Sequence, residues 1–90
     1  MKYRIVLTRQ AKEDYLFWKY SGNKAIQNKI LRLLEDMTNH PYIGIGKPEP
    51  LKYALSGYWS RRINSEHRIV YRVLEDVIEV EVIAMRFHYK

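Results

Sequence analysis

Cysteine is absent from this chain, which excludes a disulfide framework and a thiolate nucleophile. A reducing compartment is thereby permitted without being required. Long hydrophobic runs are absent too. The opening Met1-Lys2-Tyr3-Arg4-Ile5-Val6-Leu7 has no extended apolar stretch, and no later run approaches membrane length. A soluble, cytoplasmic protein with no membrane partner is the expectation. Proline and glycine are scarce, at three and four residues, and all three prolines with two of the glycines fall within 41–50. Those residues are predicted to form a loop rather than a linker. No glycine-rich phosphate loop or nucleophile elbow occurs, and the three histidines have no metal-ligand spacing. Neither a metal nor an organic cofactor is expected.

What remains is a folded, basic chain. Ninety residues with 47% apolar content make a single domain, 1–90, with one small core. The formal charge of +6 favours an anionic partner, nucleic acid first. Between Lys47 and Arg72 stand six cations (Lys47, Lys52, Arg61, Arg62, Arg68 and Arg72) against only Glu49 and Glu66. Arginine predominates there, and its guanidinium fork matches phosphate geometry as lysine does not. Glu75, Asp76, Glu79 and Glu81 form an acidic block that offsets cations nearby.

The hydrophobic pattern predicts an α+β fold: an N-terminal strand, two helices, then an antiparallel sheet packed on the helices. Residues 3–7 alternate as a strand. Thr8 caps a helix running to about Tyr20, with Ala11, Tyr15 and Trp18 on one face, and Ser21-Gly22-Asn23 breaks it. A second helix carries Ile26, Ile30, Leu33, Leu34 and Met37 on one stripe and stops before Pro41. Strands at 57–63, 67–74 and 77–87, joined by short turns, form an antiparallel meander. The sheet face without helices is the place for a ligand groove.

Alternation assigns side chains to faces. Arg68, Val70 and Arg72 face one way, while His67, Ile69, Tyr71 and Val73 face the other; in the preceding strand Tyr58, Ser60 and Arg62 share a face, opposite Trp59, Arg61 and Ile63. Unbroken alternation in the last strand puts Ile78, Val80, Val82 and Ala84 in phase with Arg86 and His88. On that reading His88 falls on the core side unless the strand ends, bends or bulges near Arg86.

Glu49 sits between two prolines and two lysines, and the chain finishes on Phe87-His88-Tyr89-Lys90. A carboxylate, a histidine and surplus arginine are the minimum for metal-free RNA phosphodiester cleavage. Glu49 can take the proton of a 2′-hydroxyl, His88 can give one to the leaving 5′-oxygen, and arginine can hold the charge building on the phosphate. The bland readings stand beside these. A glutamate in a proline-rich loop is most often just solvated. His40 and His67 are read as surface residues, Arg61 and Arg62 as sheet-edge gatekeepers, and Trp18 and Trp59 as core or dimer contacts.

Four separated blocks carry a resemblance: Gly46-Lys47-Pro48-Glu49-Pro50-Leu51-Lys52, the run from Ser56 to Ile63, Glu66-His67-Arg68-Ile69-Val70-Tyr71, and Arg86-Phe87-His88-Tyr89. Together with Asp14-Tyr15 and Trp18 they resemble the Txe/YoeB family of toxins, within the RelE superfamily of toxin–antitoxin systems, over essentially the whole chain. The resemblance implies a RelE-like fold and a ribosome-dependent endoribonuclease that cuts messenger RNA in the A site and inhibits translation. By motif, Glu49 resembles the family's general base, Arg68 its phosphate-stabilising arginine, His88 its general acid, and Tyr89 the tyrosine that positions the scissile nucleotide. Lys52 and Arg62 match basic positions that orient RNA, and Lys47 and Tyr58 are grouped with them. The implied partners are the ribosome with its mRNA, a YefM/Axe-like antitoxin, and a second copy of the chain; no cofactor is implied. The chain departs from the pattern in carrying Lys90 after the tyrosine, which sets a cation beside the proposed acid, and in a longer turn at Leu74-Glu75-Asp76-Val77. Two other classes stay open: a ParE-like gyrase poison, a group that generally lacks the Glu49, Arg68 and His88 set, and a non-catalytic RNA- or ribosome-binding inhibitor.

Overall fold

A strand, two helices and a sheet follow one another in the computed structural model, which describes residues 2–87. They are β1 (Arg4–Leu7), α1 (Arg9–Ser21), α2 (Lys24–Asn39), β2 (Glu49–Pro50), a single 3₁₀ turn (Tyr53–Leu55), β3 (Trp59–Arg62), β4 (Arg68–Leu74) and β5 (Glu79–Ala84). His88, Tyr89 and Lys90 lie outside the described residues. Among the described residues no helix is long and apolar enough to cross a membrane.

The helix boundaries follow from capping. Thr8 Oγ1 accepts the Ala11 N–H at 3.2 Å, occupying one of the donors that the first turn of α1 leaves free. Gly22 ends α1 with φ +79, a left-handed conformation in which a side chain is strained. Asn23 Oδ1 then accepts the Ile26 N–H at 3.1 Å and starts α2. The predicted stripe of α2 is the buried one: Ile26, Ile30, Leu33 and Met37 are core residues, with Leu34 packed against them. In α1 the buried positions are Ala11, Asp14 and Trp18. The carboxylate among them was not foreseen.

The five strands form one sheet in the order β1-β5-β4-β3-β2. The meander is antiparallel as predicted, while β1 runs parallel to β5 at the far edge. One face packs on both helices through Ile69, Tyr71, Val80, Val82, Met85 and Ile63. Glu49 belongs not to a free loop but to the short edge strand β2, opposite Ser60. Pro50 is tolerated there because an edge strand has one side with no ladder to complete.

The last strand breaks the alternation expected of it. Tyr71 pairs with Val82 but Val70 pairs with Ala84, so Ile83 is an extra residue on β5. A bulge of this kind moves everything beyond it to the opposite face. Ala84 therefore lies with Val70 on the uncovered face, and Met85 fills the core in its place. The expected unbroken phase from Val80 through Ala84 is corrected by this bulge, while the side taken by His88 lies outside the described residues.

Arg61 is also corrected. It is no edge gatekeeper but fully buried, at 0% exposure. Its Nη1 donates to Asp36 Oδ2 at 2.6 Å and to the Ile45 carbonyl at 3.2 Å. Its Nη2 donates to the carbonyls of His40 and Ile43, and its Nε to Tyr71 Oη at 3.1 Å. One guanidinium thus ties α2, the 40–45 loop and β4 together, and fixes the chain leading into Glu49. Arg62, one residue on, is exposed.

A second pin holds the same loop at Tyr42. Glu75, in the turn between β4 and β5, accepts from Tyr3 Oη at 2.7 Å and from Tyr42 Oη. These bonds hold the Glu75 carboxyl below the ordinary carboxylate range. Burial, and then the bond to Glu75, push the Tyr42 hydroxyl up to about 12.

Candidate active site

The uncovered face of the sheet carries two different kinds of charge. Toward β1, Arg4 is paired with Glu79, and Arg72 Nε donates to Glu81 Oε1 at 2.7 Å, so these arginines are matched by the acidic block. Toward β2, arginine is in surplus. Glu49 and Ser60 face each other across β2 and β3, and Arg62 and Arg68 across β3 and β4. Ser60, Val70 and Ala84, all buried and in register across three strands, make a row of small side chains on this face.

Arg68 crosses that row to reach Glu49. Its Nη1 donates to Glu49 Oε1 at 2.9 Å, with Ser60 Oγ at 3.4 Å. The guanidinium end of the pair is mostly sheltered and the carboxylate end is half in water, with side-chain exposures of 12% and 53%. A sheltered cation beside a solvent-facing carboxylate is a fixed arrangement on the sheet, open to an incoming phosphate. Two positions 19 residues apart in sequence meet because β2 and β4 flank β3.

The other residues predicted to hold RNA are divided between two separate hollows and the neighbourhood of Arg72, and only Lys52 shares a hollow with Glu49. Lys47 and Arg62 line a surface hollow of about 390 Å³ together with Lys29, Asn64 and Ser65. Glu49 and Lys52 line a second, of about 260 Å³, with Pro50, Leu51, Tyr53 and Leu55. Lys47 is held at φ +51, just after Gly46. The Gly46 carbonyl accepts the Arg62 N–H at 2.7 Å, which brings the Lys47 loop against the end of β3. Tyr58 is half-buried, and the Arg72 guanidinium lies 5.7 Å from its ring centroid.

Three residues that sequence reasoning gave no functional place converge on the chain beyond β5. Asp14 Oδ2 accepts the Met85 N–H at 2.9 Å, and Trp18 Nε1 donates to the Met85 carbonyl at 2.8 Å. His67, read as a surface residue, is half-buried, and its Nδ1 accepts the Phe87 N–H at 2.9 Å. The one available sign in sequence is the position of Asp14, three residues after Ala11 and four before Trp18, which places a carboxylate on the buried side of α1. His88 and Tyr89, the predicted acid and positioning tyrosine, follow this segment in sequence and lie outside the described residues.

A strand, two helices and a sheet with one helix-covered face and one basic face make up the RelE-like toxin fold. Within that class the chain belongs to the YoeB-like toxins of bacterial type II toxin–antitoxin systems, the family that residues 7–89 match. It is 45% identical over 86 residues to Toxin YoeB of Streptomyces coelicolor, spanning 96% of this chain and 99% of that protein. The YoeB dimer from Staphylococcus aureus superposes with a TM-score of 0.85 at 39% identity, covering 99% of this chain and 100% of that one. The YoeB–YefM complex from the same organism gives 0.83 at 40% identity with the same coverage.

Proposed function

We propose that this toxin is a ribosome-dependent endoribonuclease that cuts messenger RNA in the A site and so stops translation. The observation that carries the reading is the Glu49–Arg68 pair, 2.9 Å apart on the uncovered, arginine-rich sheet face. Glu49 Oε takes the proton of the 2′-hydroxyl, and that oxygen attacks the adjacent phosphorus. Arg68 holds the negative charge that builds on the non-bridging oxygens, for which its guanidinium fork offers further N–H donors. His88 protonates the departing 5′-oxygen, and Tyr89 positions the scissile nucleotide. The products are a 2′,3′-cyclic phosphate and a 5′-hydroxyl. Lys47, Lys52, Arg62 and Tyr58 hold the RNA beside the pair.

While Glu49 accepts from Arg68, its carboxylate is occupied by the guanidinium rather than turned to a substrate hydroxyl. Phosphate arriving on Arg68 competes for the same guanidinium, and closure against the ribosome excludes water. The site is thus idle on free RNA and works where a ribosome delivers the substrate. The chain is a single domain spanning 1–90 and works without a cofactor. Its partners are a YefM-like antitoxin that neutralises it and, when free, a second copy of itself. The Staphylococcus aureus YoeB–YefM complex and YoeB dimer support both assignments.

A cell-free translation reaction tests the reading. Purified protein should halt synthesis and leave shortened message. Arrest with full-length message would identify a binding inhibitor instead, and undisturbed translation would point away from the ribosome altogether.

A further inference from the structure

We propose that His67 is a positioning residue for the cleavage reaction, acting as the last side-chain tether, among the described residues, of the segment that leads to His88 and Tyr89. The proposal rests on the nuclease reading above. The segment after β5 is held at two successive points. Its first anchor is buried: Asp14 takes the Met85 N–H, Trp18 holds the Met85 carbonyl, and Gln10 Nε2 steadies Asp14 by donating to Oδ1 at 2.9 Å. Its second anchor is Phe87, gripped from both sides of its peptide by consecutive residues. The Arg68 N–H donates to the Phe87 carbonyl at 3.0 Å, and the Phe87 N–H donates to His67 Nδ1 at 2.9 Å.

The geometry at Phe87 shows why a tether matters there. Its φ is +66, a left-handed conformation unfavourable for a bulky L-residue, which persists only where the surroundings impose it. His67 can impose it because its ring is itself fixed, edge-on to Trp18 at 4.8 Å between centroids. Nδ1 accepts only in the neutral imidazole with its proton on Nε2. The first residue of β4 and the residue before it therefore set both halves of the proposed chemistry. Arg68 faces Glu49 through its side chain, while His67 and the Arg68 backbone fix the direction in which the chain leaves Phe87 toward His88. Loss of the acceptor frees the Phe87 amide and lets its backbone relax, so that the direction of the chain at Phe87 is no longer set.

The test compares His67→Leu, which has no acceptor, with His67→Asn, whose Oδ1 sits about where Nδ1 does. Single-turnover cleavage on programmed ribosomes, ribosome affinity and hydrogen exchange at the Phe87 amide are measured for each. His67→Leu should cut about 10²-fold more slowly with unchanged ribosome affinity and faster exchange at Phe87. His67→Asn should restore most of the rate and the protection. Wild-type cleavage by His67→Leu, or an Asn variant as slow as the Leu variant, overturns the proposal. If the wild type cuts nothing, the nuclease reading fails, and exchange alone decides the tether: equal protection of Phe87 in wild type and His67→Leu overturns it.

Discussion

Glu49 and Arg68 form an ion pair across three strands, joined at 2.9 Å above Ser60, with the cation sheltered and the anion half in water. Such a pair contributes little to folding, about 0–1 kcal/mol, because water and side-chain entropy offset most of its attraction. Its value lies in what it prearranges. Glu49→Gln is expected to lower A-site cleavage by about 10²–10⁴-fold, and Arg68→Ala by about 10²–10³-fold. Thermal unfolding of both variants should stay close to wild type. Parental cleavage in either variant would remove that residue from its assigned role.

Neighbouring arginines should behave oppositely. Arg61→Met strands Asp36 and three loop carbonyls without their guanidinium, and is expected to cost about 3 kcal/mol of folding stability. Arg62→Ala, at an exposed position, should change stability by less than about 0.5 kcal/mol while weakening RNA binding in a salt-dependent way. Denaturant titration of the two variants side by side measures the contrast.

Gly44 cannot accept a side chain without a rearrangement. Its φ is +125, and an added Cβ would collide with Asp36 Oδ2, the atom that also binds Arg61. Gly44→Ala should therefore destabilise by about 1–3 kcal/mol. Gly22→Ala, where nothing lies within 4 Å, should cost less. Equal midpoints for the two would show that the loop yields freely.

The Tyr3–Glu75–Tyr42 cluster predicts a dependence on pH at both ends of the scale. The Tyr42 hydroxyl is raised from 10.0 to about 12, so its stabilisation is full below pH 10 and is lost as pH climbs through 12. Glu75 is lowered from 4.5, so its stabilisation is full above that value and is lost as pH falls through its folded pKa. The stability difference between wild type and Tyr42→Phe should hold steady from neutrality to pH 10 and shrink above it. A difference independent of pH up to about 11 would contradict the assignment.

The elements were legible wherever period and capping agreed. The α2 stripe, the Thr8 and Asn23 caps and the faces of β3 and β4 follow from side-chain spacing alone. Glu49 and Arg68 could be nominated from residue type and resemblance, and alternation had already set Arg68 on the face away from the helices. Their meeting depended on β2, two residues long and too short to leave a pattern. The phase of β5 was illegible because the Ile83 bulge has no mark in an apolar run. Arg61 read as surface because a buried arginine is intelligible only with the loop carbonyls that satisfy it. His67 likewise showed nothing in sequence of its bond to Phe87, a contact made 20 residues away by backbone.

The most direct test of the account is primer extension on ribosomes programmed with a known A-site codon. Wild type, Glu49→Gln and His88→Gln would be assayed beside the same RNA without ribosomes. The account predicts a cut inside the A-site codon by wild type alone, only where ribosomes are present. An uncut message in arrested ribosomes, or undiminished cutting by Glu49→Gln, would contradict it.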